Sequence, residues 1–186
     1  MKVFRSRGLA GAICTVVLLA GMPARSRDAF AEDGKASAEG SVEGVEHTII
    51  VGVGGAAELE LRGGAVHPGG NLMLEWDAIE NWLELEVGAS VLSADGGVEV
   101  PIDLLVKKPF RLTRWAEFMV AIGPEVVAVS NPTTKATYFG GEAALDFMFW
   151  PWERHVGLWI EPEYDFIFRD VVSHGLGSTG GLLFGW

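Results

Sequence analysis

The chain has 186 residues and carries 25 Asp and Glu against 14 Lys and Arg, a formal net charge of −11 at neutral pH. That sign excludes nucleic-acid binding, which needs a basic surface to displace the counterions of a phosphate backbone. The one cysteine, Cys14, gives no disulfide framework and no thiolate metal site.

Residues 1–31 read as a secretory signal peptide. Lys2, Arg5 and Arg7 form a positive start, Gly8 to Met22 an apolar stretch, and Ala29-Phe30-Ala31 a small-residue exit. The apolar stretch is shorter than the roughly 20 residues of a spanning helix. A retained anchor and a second exit after Ala24 are the alternatives. Ile13, bulky where a lipidation box has a small residue, argues against a lipid on Cys14. Residues 32–46, rich in Ala, Gly, Ser and Glu, read as a disordered acidic linker, and 47–186 as one barrel domain.

From Thr48 onward the apolar residues recur every second position, which places them on one face of a strand. Eight strands follow at about 48–61, 71–78, 82–92, 97–107, 115–128, 135–149, 155–168 and 174–186. Between them lie turn residues: Arg62-Gly63-Gly64 through His67-Pro68-Gly69-Gly70, Ile79-Glu80-Asn81, Ser93 to Gly97, Lys108-Pro109-Phe110, Ser130 to Thr133, Pro151-Trp152-Glu153 and Arg169 to Ser173. Short links between an even number of strands predict an all-β fold, an eight-stranded antiparallel up-and-down barrel.

The faces are sorted. Val51, Val53, Leu72, Leu74, Val87, Ile102, Leu104, Phe118, Val120, Ile122, Phe139, Leu145, Phe147 and Leu182 share the apolar phase. The opposite phase carries Glu58, Glu60, Glu75, Asp77, Glu84, Glu86, Glu99, Asp103, Glu117, Glu125, Glu142, Asp146, Glu161, Glu163 and Asp165, together with Arg62, Lys107 and Arg169. Two arrangements fit. A soluble periplasmic barrel would turn the apolar face inward around an apolar ligand. A transmembrane barrel would turn it toward lipid and line its interior with the acids.

The tryptophans favour the membrane. Trp76 and Trp82 flank the second connection, Trp115 follows the fourth, Trp150 and Trp152 border the sixth, and Trp186 ends strand eight. All six fall at the rim shared by the termini, as an interfacial aromatic belt would; Trp76, Trp150, Trp152 and Trp186 are taken as membrane-interface aromatics. Trp82 and Trp115 are out of the apolar phase. Pro101, Pro124 and Pro162 sit mid-strand, where each removes a ladder donor, and are read as marks of bulges or bends.

The chain ends Gly180-Gly181-Leu182-Leu183-Phe184-Gly185-Trp186. Apolar Leu182, Phe184 and terminal Trp186 at alternate positions resemble the assembly signal of bacterial outer-membrane β-barrels. Signal peptide, eight strands and this ending together resemble the small, eight-stranded, porin-like class of such proteins over about residues 48–186. The resemblance implies a location in the cell outer membrane, contact with outer-membrane lipid and with a barrel-assembly machinery, a monomer, and no enzymatic activity or cofactor. The cell-surface connections are shorter than in most such barrels, which argues against a large extracellular binding surface.

Small barrels have interiors filled by side chains. Buried carboxylates without partners take protons, bind cations or stay wetted. A mid-height group of Glu125, Glu142, Glu161 and Glu163 is therefore the candidate cation site; a hydrated network around a few salt bridges is the plain alternative. Three other motifs carry less. The glycines of Val51 to Ala57 mimic a dinucleotide turn, but Glu58-Leu59-Glu60-Leu61 continues a strand rather than a helix. Ser173, His174 and Ser178 invite comparison with lipid-A-modifying hydrolases, yet Ser178 lies four residues from His174, about 13 Å in a strand. His67 and His174 fall at one rim without a metal-binding spacing.

Overall fold

A computed structural model describes residues 48–94, 96–133, 135–153 and 155–186, with backbone alone at 152 and 153. The expected signal peptide and linker lie outside the described residues. Eight strands run β1 (Ile49–Glu60), β2 (Val66–Ile79), β3 (Leu83–Ala94), β4 (Gly97–Thr113), β5 (Ala116–Ser130), β6 (Lys135–Glu153), β7 (Val156–Phe168) and β8 (Ser173–Gly185). Each pairs antiparallel with its sequence neighbours, and β8 returns to β1 to close an up-and-down barrel. Closure satisfies every strand edge from within, the condition for a sheet that spans hydrocarbon.

Three strands run through residues that look like turns: β2, β4, and β6, which takes in Pro151-Trp152-Glu153. β2 begins at Val66, so His67-Pro68-Gly69-Gly70 are strand residues, and β4 runs through Lys108-Pro109-Phe110 to Thr113. Pro68 pairs with Ala57 of β1, while the β2–β3 ladder starts one residue later, at Gly69. Likewise the β3–β4 ladder ends at Lys107, and Pro109 pairs with β5 alone. Each proline occupies a strand end with one neighbour, where a missing donor breaks no ladder bond.

The mid-strand prolines mark something other than bulges. Ladder pairs are missing where Ser90 and Val91 face Pro101 and Val100, where Leu104 and Leu105 face Pro124 and Gly123, and where Leu145 and Asp146 face Pro162 and Glu161. The pairing resumes in the same register on both sides of each gap. Register shifts occur instead near the rim of the termini, at Asp77/Ile79, Arg111/Thr113 and Phe149/Glu153. Proline here opens the wall without displacing the strands.

The alternating faces resolve cleanly. Ile102, Val120, Ile122 and Phe139 are 46%, 44%, 66% and 67% exposed on the outer surface. Phe118 and Phe147 pack outside with tilted rings, centroids 5.0 Å apart, and Phe110 stacks on Phe118. Glu75, Glu86, Glu125, Glu142, Asp146, Glu161 and Asp165 are buried within. The soluble alternative, with the apolar face enclosing a ligand, is contradicted by this sorting: an aqueous surface of that composition would forfeit the burial that stabilises a fold.

Candidate functional site

The interior is not uniformly polar. On the side of the termini, Ile50, Met73, Met119, Met148, Trp150, Trp159 and Leu183 form a buried apolar cluster. Met73 fills the space left by Gly52 opposite, since a Cβ there would stand 2.6 Å from its Cγ. Trp150 was expected in the interfacial belt and is corrected here: it lies in register phase with Asp146 and Met148 and is 8% exposed. Its inward phase follows from the even-numbered interior of β6. Trp76 holds the outward phase, Trp186 is 65% exposed, and the Trp152 side chain lies outside what is described.

Beyond the plug lies Lys107, fully buried on β4. Its ammonium is 2.6 Å from Glu86, 2.8 Å from Asp146, 2.9 Å from Glu161 and 3.1 Å from Glu75. It donates hydrogen bonds to Asp146 Oδ2 and Glu161 Oε2. Four strands (β2, β3, β6 and β7) thus converge on one cation from β4. At an effective dielectric near 20, unit charges about 3 Å apart attract by roughly 5 kcal/mol, and carboxylate charges no farther apart than 4.8 Å repel by at least roughly 3.5 kcal/mol a pair. The lysine offsets that repulsion; without it the repulsion is unopposed.

Further carboxylates surround a second space. Glu58, Glu86, Asp103, Glu125, Glu142, Glu161, Glu163 and Asp165 line one cavity with Asn71, Ser90 and Thr179. Inward glycines make room for the acids. A Cβ on Gly88 would stand 2.5 Å from Asp103 Oδ2, and the Gly88 N–H donates to Asp103 Oδ1 at 3.1 Å. A Cβ on Gly177 would collide with Glu163 Oε1. Toward the opposite rim, Arg169 pairs with Glu99 at 3.3 Å and lies 5.0 Å over the Tyr138 ring.

Oxygens of Glu125, Glu142 and Asp165 lie within 4.8 Å of one another, as do those of Glu142, Glu161 and Glu163. The four acids singled out from the sequence therefore line one cavity. Sequence reasoning put Asp165 and Lys107 in the inward phase without bringing them to this group of acids, and it missed Thr179. Lys107 carried a visible signal, a cation standing in the acid phase.

The outer surface near the termini carries a ring of aromatics. Trp82 and Trp115 are exposed, Lys108 lies 5.4 Å over the Trp82 ring, and Trp115 packs on Phe149. Leu182 and Trp186 are exposed in the outward phase of β8, with Phe184 between them.

No protein-family model and no curated protein sequence matches the chain. Among solved structures, the chain resembles Neisserial surface protein A (NspA) with a TM-score of 0.58 and 11% identity, over 74% of this chain and 96% of that one. It resembles the N-terminal β-barrel domain of Pseudomonas aeruginosa OprF with a TM-score of 0.56 and 10% identity, over 75% of this chain and 98% of that one. The fold is that of the small eight-stranded outer-membrane barrels.

The remaining motifs are dispersed by the same alternation. His67 is buried, whereas His174 is on the outer face with its Nδ1 2.8 Å from the Tyr164 hydroxyl. A shared metal between the two histidines is thereby excluded: they stand on opposite sides of the wall. The glycine-rich Val51 to Ala57 lies within β1, with no helix after it.

Proposed function

We propose that the chain is an outer-membrane β-barrel that works as a monomer, performs no catalysis, and keeps cations inside a closed acidic interior. The observation that carries this reading is the inverted sorting: isoleucine, valine and phenylalanine outside, glutamate and aspartate inside. In hydrocarbon each outward residue is in its preferred solvent, whereas in water this surface would aggregate. The aromatic ring near the termini supports an interface at that height. Outward Leu182, Phe184 and, just past β8, Trp186 form the handle for the barrel-assembly machinery.

Between structural support, cation holding and solute passage, the geometry favours the first two. Met119, Met148, Leu183 and Lys107 are each 0% exposed, so side chains fill the cross-section in succession. An open channel would need that succession displaced. No nucleic-acid partner is compatible with the charge. Fractionation tests the reading. The chain should stay with the outer membrane through a carbonate wash, need detergent for extraction, and migrate differently on gels before and after heating. Release by carbonate or salt would refute it.

A further inference from the structure

We propose that the interior binds a divalent cation of the calcium class between Glu125, Glu142 and Asp165, in the cavity that Thr179 also lines. The inference rests on the reading of an inward acidic face and names the ion that face would hold.

The first support is internal to the molecule. Oxygens of Glu75, Glu86 and Asp146, like those of the proposed site, lie within 4.8 Å of one another, and the Lys107 ammonium sits among them. The same chain thus shows what a triad of this kind contains. Among the described residues, no lysine, arginine or histidine forms an ion pair with Glu125, Glu142 or Asp165. Glu142 also belongs to the neighbouring triad with Glu161 and Glu163, so it faces acids on two sides.

The second support is independent of the acids. Thr179 on β8 is 5% exposed, lines this cavity, and its hydroxyl oxygen has no hydrogen-bond partner. The Oε2 of Glu125, also 5% exposed, is likewise without one. Buried polar atoms in native proteins are nearly always satisfied; Thr179 stands in register with Glu161 of β7, which shares a triad with Glu142, and carboxylate and hydroxyl oxygens together are the donor set of a hard cation. The cavity measures about 20 Å³, above the ~10–15 Å³ that a single water-sized body requires.

Ligand chemistry selects within the class: magnesium demands near-ideal octahedral geometry and gives up its water reluctantly, whereas calcium accepts an irregular set of carboxylate and hydroxyl oxygens.

The test uses the full chain isolated in detergent, with thermal unfolding followed in calcium chloride, in magnesium chloride and in chelator. Calcium should raise the midpoint of the native chain and of Glu60→Gln, and do so more than magnesium at equal concentration. In Glu142→Gln, and independently in Glu125→Gln, the calcium Kd should weaken by about tenfold, since ligand charge sets affinity in such sites. Both variants lose a buried like charge, so their barrels should keep the heat-dependent gel shift. A midpoint indifferent to calcium, or a calcium response that both variants retain, would overturn the site. A heat-modifiable barrel indifferent to calcium ends this inference alone; a chain soluble without detergent ends the barrel reading beneath it.

Discussion

Replacing Lys107 by methionine retains an unbranched side chain of similar length and removes the charge at the centre of four carboxylates. Removing one member of a buried ion pair destabilises a protein by about 3–5 kcal/mol, because the partner is left uncompensated. Lys107 leaves Glu75, Glu86, Asp146 and Glu161 behind, at 3.1, 2.6, 2.8 and 2.9 Å. The loss should therefore reach the upper end, about 5 kcal/mol, a large share of the ~5–15 kcal/mol total stability of an ordinary domain. Urea titration in detergent micelles, followed by tryptophan fluorescence, reads the change as a lowered midpoint at similar slope. Adding Glu75→Gln and Glu86→Gln to Lys107→Met should recover part of the loss, because those acids repel each other once the cation is gone. If Lys107→Met unfolds within about 1 kcal/mol of the native chain, the lysine does not hold the cluster together and the reasoning fails.

Three further outcomes follow from the wall and the plug. Ile122→Arg, at an outer position 66% exposed, should cost about 2–4 kcal/mol of stability in lipid vesicles if the residue lies near the bilayer centre; an unchanged midpoint would remove it from hydrocarbon. Gly54→Ala places a Cβ against the Gly180 carbonyl across the β1–β8 seam, so the variant should lose the heat-dependent gel shift of a closed barrel. Trp150→Ala should destabilise by about 3–5 kcal/mol as a truncation in a packed interior, and Trp82→Ala, exposed outside, by far less; equal effects would contradict the corrected placement of Trp150.

Much of the wall was legible because a period of two leaves a direct trace in sequence: once Leu83, Leu85 and Val87 share a face, Glu84 and Glu86 must share the other. The limits of β2 and β4 were not legible. Pro68 and Pro109 look like turn residues until the ladders show that each has a strand on one side alone. Phase assigned Lys107 to the interior but could not say that Glu75, Glu86, Asp146 and Glu161, from four other strands, would meet it at one height. That depends on strand stagger, which no local pattern records. Trp150 was misassigned for a related reason, since its position along the chain fixed its rim but its parity fixed its side. The Glu125, Glu142, Glu161 and Glu163 group came together because β5, β6 and β7 are consecutive neighbours, so height and phase could be counted along the chain.

The central claim, that the apolar phase meets hydrocarbon while the acid phase is enclosed, is tested most directly by a cysteine scan of β4 from 102 to 107 in a Cys14→Ser background. Each position is nitroxide-labelled in turn in lipid vesicles, and its collision rates with oxygen and with a water-soluble nickel complex are measured. Ile102, Leu104 and Val106 should be oxygen-accessible and nickel-shielded, with Asp103, Leu105 and Lys107 shielded from oxygen, in strict alternation. A scan in which the even positions are sealed and the odd ones reach the nickel complex would contradict it.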